Sequence, residues 1–172
     1  MKRNVAISFV GQDRPGLIQS LADVVVSLSG NWLESRMSYL ADKFAGVALV
    51  EVDEGHVDEL KVRLSALEHL TVIIELTDTA EPALRTRSSN LNIVGPDRTG
   101  ILNEVTQALA EAEVNVIEME THIAAAPMSG ELTFSADARV EVPDTVDIGD
   151  LVVKLNGIAD NLGVDILLEE DD

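Results

Sequence analysis

The chain contains no cysteine, which excludes structural disulfides, thiol nucleophiles and thiolate metal sites. Aromatic residues are only 3% of it, so Val, Leu, Ile and Ala, within a 46% hydrophobic share, must fill the interior. Cations are scarce: 12 Lys and Arg stand against 31 Asp and Glu, a formal net charge of −19 at pH 7. A surface of that sign repels phosphate backbones, and the nearest thing to a basic patch is the pair Arg85 and Arg87. Direct nucleic-acid binding is therefore not expected. The acidity serves solubility, or supplies a docking face for a basic partner. Apolar runs such as Leu21–Leu28 are far too short to span a bilayer, so no membrane contact is expected. No apolar segment with a small-residue cleavage site follows Met1-Lys2-Arg3-Asn4, and the cytoplasm is the expected location.

Catalytic signatures are missing too. There is no Gly-x-Ser-x-Gly, no phosphate-binding Walker loop and no dinucleotide fingerprint. His56, His69 and His122 are not spaced as a metal cluster, and the carboxylates are scattered. No catalytic residue, metal site or cofactor is expected.

What the chain does contain is a repeat. Val10-Gly11-Gln12-Asp13-Arg14-Pro15-Gly16-Leu17-Ile18 returns as Val94-Gly95-Pro96-Asp97-Arg98-Thr99-Gly100-Ile101-Leu102, an offset of 84 residues that also carries Asn31 onto Asn115. Each copy lies in the same order of elements. Val5–Val10 alternates as a strand, and Pro15 suits the first turn of a helix. That helix has an apolar stripe of Leu17, Ile18, Leu21, Val24, Val25 and Leu28, and Gly30 stands at its C-terminal end. Two strand-like runs, Trp32–Leu40 and Phe44–Val52, join at Ala41-Asp42-Lys43. A second helix bears Val57, Leu60, Leu64 and Leu67, and Leu70–Leu76 is a closing strand. The second half repeats this from Leu91 to Leu168, with a longer connection at Ala125–Gly130. The expectation is α+β: two tandem ferredoxin-like βαββαβ modules, residues 1–78 and 90–172, each a four-stranded antiparallel sheet with its helices on one face. The polar stretch 79–89 reads as a linker and Glu169–Asp172 as a solvated acidic tail.

The repeated residues have a chemistry of their own. Gly16 and Gly100 stand where a strand turns into a helix, and a missing side chain permits close backbone approach. Free N–H groups at a helix start attract an anion such as an amino-acid carboxylate. Asp13 and Asp97 could accept from a ligand ammonium group, and Asn31 and Asn115 offer donor and acceptor to a zwitterion. A purely structural role fits the same residues: the aspartates suit helix caps and the asparagines a turn out of a helix. Pro96 stands where the first copy has Gln12, so the two sites need not be equivalent.

A strand ending in Val-Gly, then Asp-Arg-x-Gly opening a helix, then Gly-Asn or Val-Asn opening the next strand, resembles the ACT-domain family. These are small amino-acid-binding regulatory modules of βαββαβ fold. The resemblance covers nearly the whole chain, twice. Two tandem modules, the segment Asn31-Trp32-Leu33-Glu34-Ser35-Arg36-Met37 and the longer second hairpin connection resemble the glycine cleavage system transcriptional repressor group. The resemblance implies a non-enzymatic regulator that binds a small amino acid, with glycine the candidate, at an interface between modules. The ligand-binding candidates it implies are Gly11, Asp13, Arg14, Gly16 and Asn31, with Gly95, Asp97, Arg98, Gly100 and Asn115. It also implies a protein partner, with a DNA-binding transcription factor the candidate, and action without direct DNA contact. The alternative is a ligand-free acidic protein–protein interaction module. Each sheet has a second face and open edges to cover. The two modules are therefore expected to pack together, with Trp32 an anchor or a plain core residue, and a homodimer is a further expectation.

Overall fold

Val5, Ile7 and Phe9 recur at every second position, and all three are buried on one side of β1 (Lys2–Gln12). This is seen in the computed structural model, which describes residues 1–77 and 85–171. The first unit continues through α1 (Leu17–Ser27), β2 (Asn31–Leu40), β3 (Lys43–Asp53), α2 (Val57–Ser65) and β4 (Leu70–Thr77). Its four strands are antiparallel in the order β2-β3-β1-β4. A second unit repeats the pattern with β5 (Thr86–Pro96), α3 (Ile101–Glu111), β6 (Asn115–Ala125), β7 (Leu132–Pro143), α4 (Ile148–Leu162) and β8 (Asp165–Glu170), in the order β6-β7-β5-β8. Each unit is the expected βαββαβ module, an α+β fold with both helices on one face of its sheet.

Each module has its own core. In the first, Leu21 and Val25 of α1 and Leu60 and Leu64 of α2 pack on Val5, Ile7, Val50 and Val52. In the second, Val105 and Leu109 of α3 and Leu151 and Leu155 of α4 pack on Leu91, Ile93, Val140 and Val142. All are essentially inaccessible, and burying each such side chain is worth about 1.5–3 kcal/mol. Trp32 is half-buried and packs against the first core. The β2–β3 hairpin closes where expected. Ala41 (φ 49°) and Asp42 (φ 61°) both take left-handed backbone, the turn geometry that follows the twist of the strands.

Four local expectations are revised. β5 starts at Thr86, well before Leu91, because Thr86–Asn90 has no apolar alternation to betray a strand. The linker read over 79–89 therefore yields its last residues to β5, and its residues up to 84 lie outside the described residues. Glu169 and Glu170 belong to β8, and Asp171 accepts hydrogen bonds from Ser88 Oγ (2.8 Å) and Asn90, so the acidic end is largely built into the sheet. Gly30 is not the left-handed residue that ends α1; Ser29 is (φ 55°). Gly30 is small for another reason: a Cβ there would come within 2.7 Å of Val52 Cγ1 and 2.9 Å of the Val25 carbonyl oxygen.

The repeated glycines divide into two kinds. Gly16 (φ 89°) and Gly100 (φ 104°) occupy left-handed backbone, and no atom crowds the place a side chain would take beyond a carboxylate 3.8 Å from Gly100. The close approach expected at these two positions lies instead at Gly11 and Gly95. A Cβ on Gly11 would stand 2.4 Å from the His69 carbonyl oxygen, and one on Gly95 2.8 Å from Val164 Cα. Both obstacles are backbone that cannot swing aside. Gly11→Ala and Gly95→Ala should therefore each cost more than about 3 kcal/mol, beyond ordinary overpacking. Gly16→Ala and Gly100→Ala should cost about 1–2 kcal/mol, the strain of left-handed backbone alone. Urea denaturation of the four variants checks the order. The helix α4 supplies a second expectation: Asp147 caps it, accepting from Gly149 N (2.7 Å) and Asp150 N (3.2 Å). Asp147→Ala should lower stability by about 1 kcal/mol, read from the same denaturation curves.

Candidate functional site

In both modules the repeated segment forms the loop that leaves the first strand and opens the first helix. In the first module, Gly11 ends the tight passage past His69, and Asp13 N donates to the Asp42 carbonyl (3.1 Å). Gly16 is the residue before α1 and carries no side-chain cap; the Gly16 carbonyl accepts the first helical bond, from Ser20 N (2.9 Å). The second module repeats each step. Asp97 N donates to the Leu132 carbonyl (2.8 Å), Gly100 precedes α3 without a side-chain cap, and Glu104 N donates to the Gly100 carbonyl (2.9 Å).

The aspartates therefore do not cap these helices, although capping was one reading of their position. The N–H groups of the first turn have no intrahelical partner and point out of the helix end, where the backbone dipoles place partial positive charge. Asp147 at α4 shows what the same chain does when a helix start is closed by its own side chain.

Each uncapped end opens on a cleft. In the first module the cleft is about 350 Å³ and is lined by Asp13, Arg14, Gly16, Leu17, Ile18 and Phe44, among others. In the second it is about 530 Å³, lined by Asp97, Arg98, Gly100, Leu102, Ile123 and Phe134, among others. Ile18 and Leu102, read as part of a buried stripe, are 44% and 39% exposed and form apolar walls here. The reason is their place in the first turn, where the helix face has already rotated off the sheet.

Arg14 and Arg98 are both exposed. Arg14 Nη2 donates to the Glu68 carbonyl (3.3 Å), next to the turn that follows α2. Arg98 Nη2 lies 3.6 Å from the Cβ position of Gly163, the residue that ends α4. Arg14 thus ties its loop to the segment just past the C-terminal end of α2, where carbonyl dipoles favour a cation, and Arg98 lies beside the end of α4.

Asn31 and Asn115 are not in these clefts. Each is the exposed first residue of its strand rather than the turn out of the preceding helix, a role taken by Ser29 and Glu113 at positive φ. Gly11 pairs with Phe44 and Asn31 with Glu51, seven residues farther along β3, so the two ends are about 23 Å apart. The second module separates Gly95 and Asn115 in the same way, through Phe134 and Glu141. Within one module the structure brings together the glycines, the aspartate and the arginine, and leaves the asparagine at the opposite end of the sheet.

Phe44 and Phe134 were missed in the sequence. They sit opposite Gly11 and Gly95 and line the two clefts. Their separation is 90 residues, because the β6–β7 hairpin is six residues longer than the β2–β3 hairpin, so an 84-residue offset does not superpose them. Restarting the alignment after that connection would have paired them. Phe44 also packs on Phe9 of the core, with ring centroids 6.0 Å apart, which fixes the cleft wall to the sheet.

The described residues hold no group of three or more His, Cys, Asp or Glu able to bind a metal ion, and none of their helices is long and apolar enough to cross a membrane. ACT-domain models match residues 3–77 and residues 85–164. No curated protein sequence matches the chain. Among solved structures, an unknown protein from Galdieria sulphuraria is 29% identical over the full length of both chains, with a TM-score of 0.90. A "putative glycine cleavage system transcriptional repressor" is 18% identical, covers 100% of this chain and 99% of its own, and superposes with a TM-score of 0.73, a likeness of fold. Two matched models, one for each βαββαβ module, carry the conclusion: the chain belongs to the ACT-domain family, as a tandem pair.

Proposed function

We propose that this protein is a non-catalytic regulator of amino-acid metabolism that binds a small amino acid in its helix-start clefts and passes the signal to a partner protein. The observation that carries this reading is the pair of uncapped helix N-termini, each opening on a cleft that also holds an aspartate and an apolar wall. An α-carboxylate suits the free N–H groups of the first turn. The ammonium group suits Asp13 or Asp97, which line the same clefts as the helix starts. Ile18 and Phe44, or Leu102 and Phe134, set how large a side chain fits. Membership of a family of regulatory modules supports the same reading. Glycine and transcription enter through the name of the structurally similar putative repressor, and glycine is the first ligand to test.

The partner is read as a separate DNA-binding protein, because a chain of net charge −19 is repelled by the duplex. Ligand and partner then affect one another reciprocally: whatever factor the amino acid exerts on partner affinity, the partner exerts on the amino acid. The competing view, a ligand-free interaction module, would make the repeated motif fold punctuation only.

Calorimetric titration with a panel of amino acids, glycine first, should show binding in the millimolar range or tighter. The double variant Asp13→Ala/Asp97→Ala should lose it by at least about tenfold, the worth of one charge-assisted bond, with little change in melting temperature, since neither side chain caps its helix. No heat with any amino acid, or a variant that melts early and binds as before, sinks the ligand reading. In a mobility-shift assay at moderate salt, the purified protein alone should leave duplex DNA unretarded; a shifted band would contradict the need for a separate DNA-binding partner.

A further inference from the structure

The two sheets carry the same fold but differ at three positions on the face turned away from their helices. Strand register aligns them residue by residue. Ser8 of β1 pairs with Val47 of β3 and Ile73 of β4, and Asn92 of β5 pairs with Asp137 of β7 and Leu167 of β8. The next row along sets Ala6 beside Leu49, against Asn90 beside Arg139. In the second module this face satisfies itself in water: Asn92 donates to Asp137 (2.6 Å), and Arg139 pairs with Glu118 (3.3 Å). In the first module the same three positions are Ala6, Val47 and Leu49; Val10 and Ile73 extend the apolar surface but have apolar counterparts in Val94 and Leu167 (47% and 52% exposed), and Arg36, beside Val47, pairs with Glu34 of its own strand (3.6 Å). Val10 is 42%, Val47 50% and Ile73 60% exposed.

We infer that the helix-free face of the first module's sheet is a homodimer surface, on which a second copy of this chain stacks sheet to sheet. This inference is independent of the amino-acid reading. Three features favour a second copy over another occupant. The first is area. Four strands are about 19 Å across, and the eight steps from Asn4 to Gln12 span about 26 Å, a flat footprint of about 500 Å². The accessible surface of a pleated face with its side chains exceeds that footprint and approaches the roughly 800 Å² per partner of a standard interface. The second is charge. Lys43 and Glu51 lie on this face at the two ends of β3, with Val47 midway between them. A twofold axis crossing the strands at the Val47–Ser8–Ile73 row sets each Lys43 over the other copy's Glu51, and Val47 over Val47. The third is geometry: antiparallel stacking of a sheet on its own copy is the aligned packing of a β-sandwich, with sheets about 10 Å apart.

Sedimentation equilibrium of the full chain should show a dimer. Transferring the second module's surface onto the first, as Ala6→Asn/Val47→Asp/Leu49→Arg, should give a monomer with an unchanged circular dichroism spectrum, since the same fold already carries those residues. Lys43→Glu should weaken the dimer by about tenfold or more, because two attractions per dimer become repulsions. Lys43→Glu/Glu51→Lys should restore it. A wild-type monomer at every concentration, or a surface-transfer variant that stays folded and dimeric, overturns the proposal. So does a charge swap that fails to recover what Lys43→Glu loses.

Discussion

Where β1 passes the start of β4 there is no room for a side chain. The space a Cβ would need at Gly11 is taken by the carbonyl of His69, and the same passage in the second module is closed by the backbone of Val164 against Gly95. This contact holds the end of the first strand tight against the segment that follows the second helix. The loop to the next helix must then start from a fixed point, and in the first module Arg14, three residues on, reaches back to the same region. With one end so anchored, the chain can enter its helix only through a sharp left-handed residue, and Gly16 and Gly100 provide it without strain. The cleft follows from these two constraints.

The helix starts that result are unlike α4. There an aspartate closes the end with two bonds to backbone N–H groups. At α1 and α3 the residue before the helix is glycine, which has no side chain to offer, and the nearby aspartates make backbone bonds across to Asp42 and Leu132. A helix end without a side-chain cap forgoes about 1 kcal/mol of stability. Beside a carboxylate, it is a suitable arrangement for a molecule that carries both a carboxylate and an ammonium group. The chain builds it twice, on the same residue types.

The modules diverge on the faces turned away from their helices. On the helix side both are packed with aliphatic residues of similar size, because a four-stranded sheet and two helices leave the same volume to fill. On the other side Asn90, Asp137 and Arg139 of one sheet stand where the other has Ala6, Val47 and Leu49. A duplicated fold is thus free to keep one interior and vary one exterior, since exterior residues answer to solvent or to partners and not to the core.

The sequence by itself determined the element order, the two modules and their hydrophobic sides, because alternation in strands and three- to four-residue spacing in helices are local signals that burial on one face imposes. The repeat also marked the loop at each helix start. It did not reveal the full length of β5, whose opening residues are polar, nor that Ile18 and Leu102 leave the core in the first helical turn. Only the tertiary structure separated Asn31 from Asp13 and Asn115 from Asp97, by putting a whole strand length between them. It alone brought Phe44 and Phe134 beside the glycines, and showed that Gly11 and Gly95 are small for want of space while Gly16 and Gly100 are small for want of strain. Each of these depends on which residues face one another across a sheet, and cross-strand register joins positions far apart in the chain, where no local pattern can signal it.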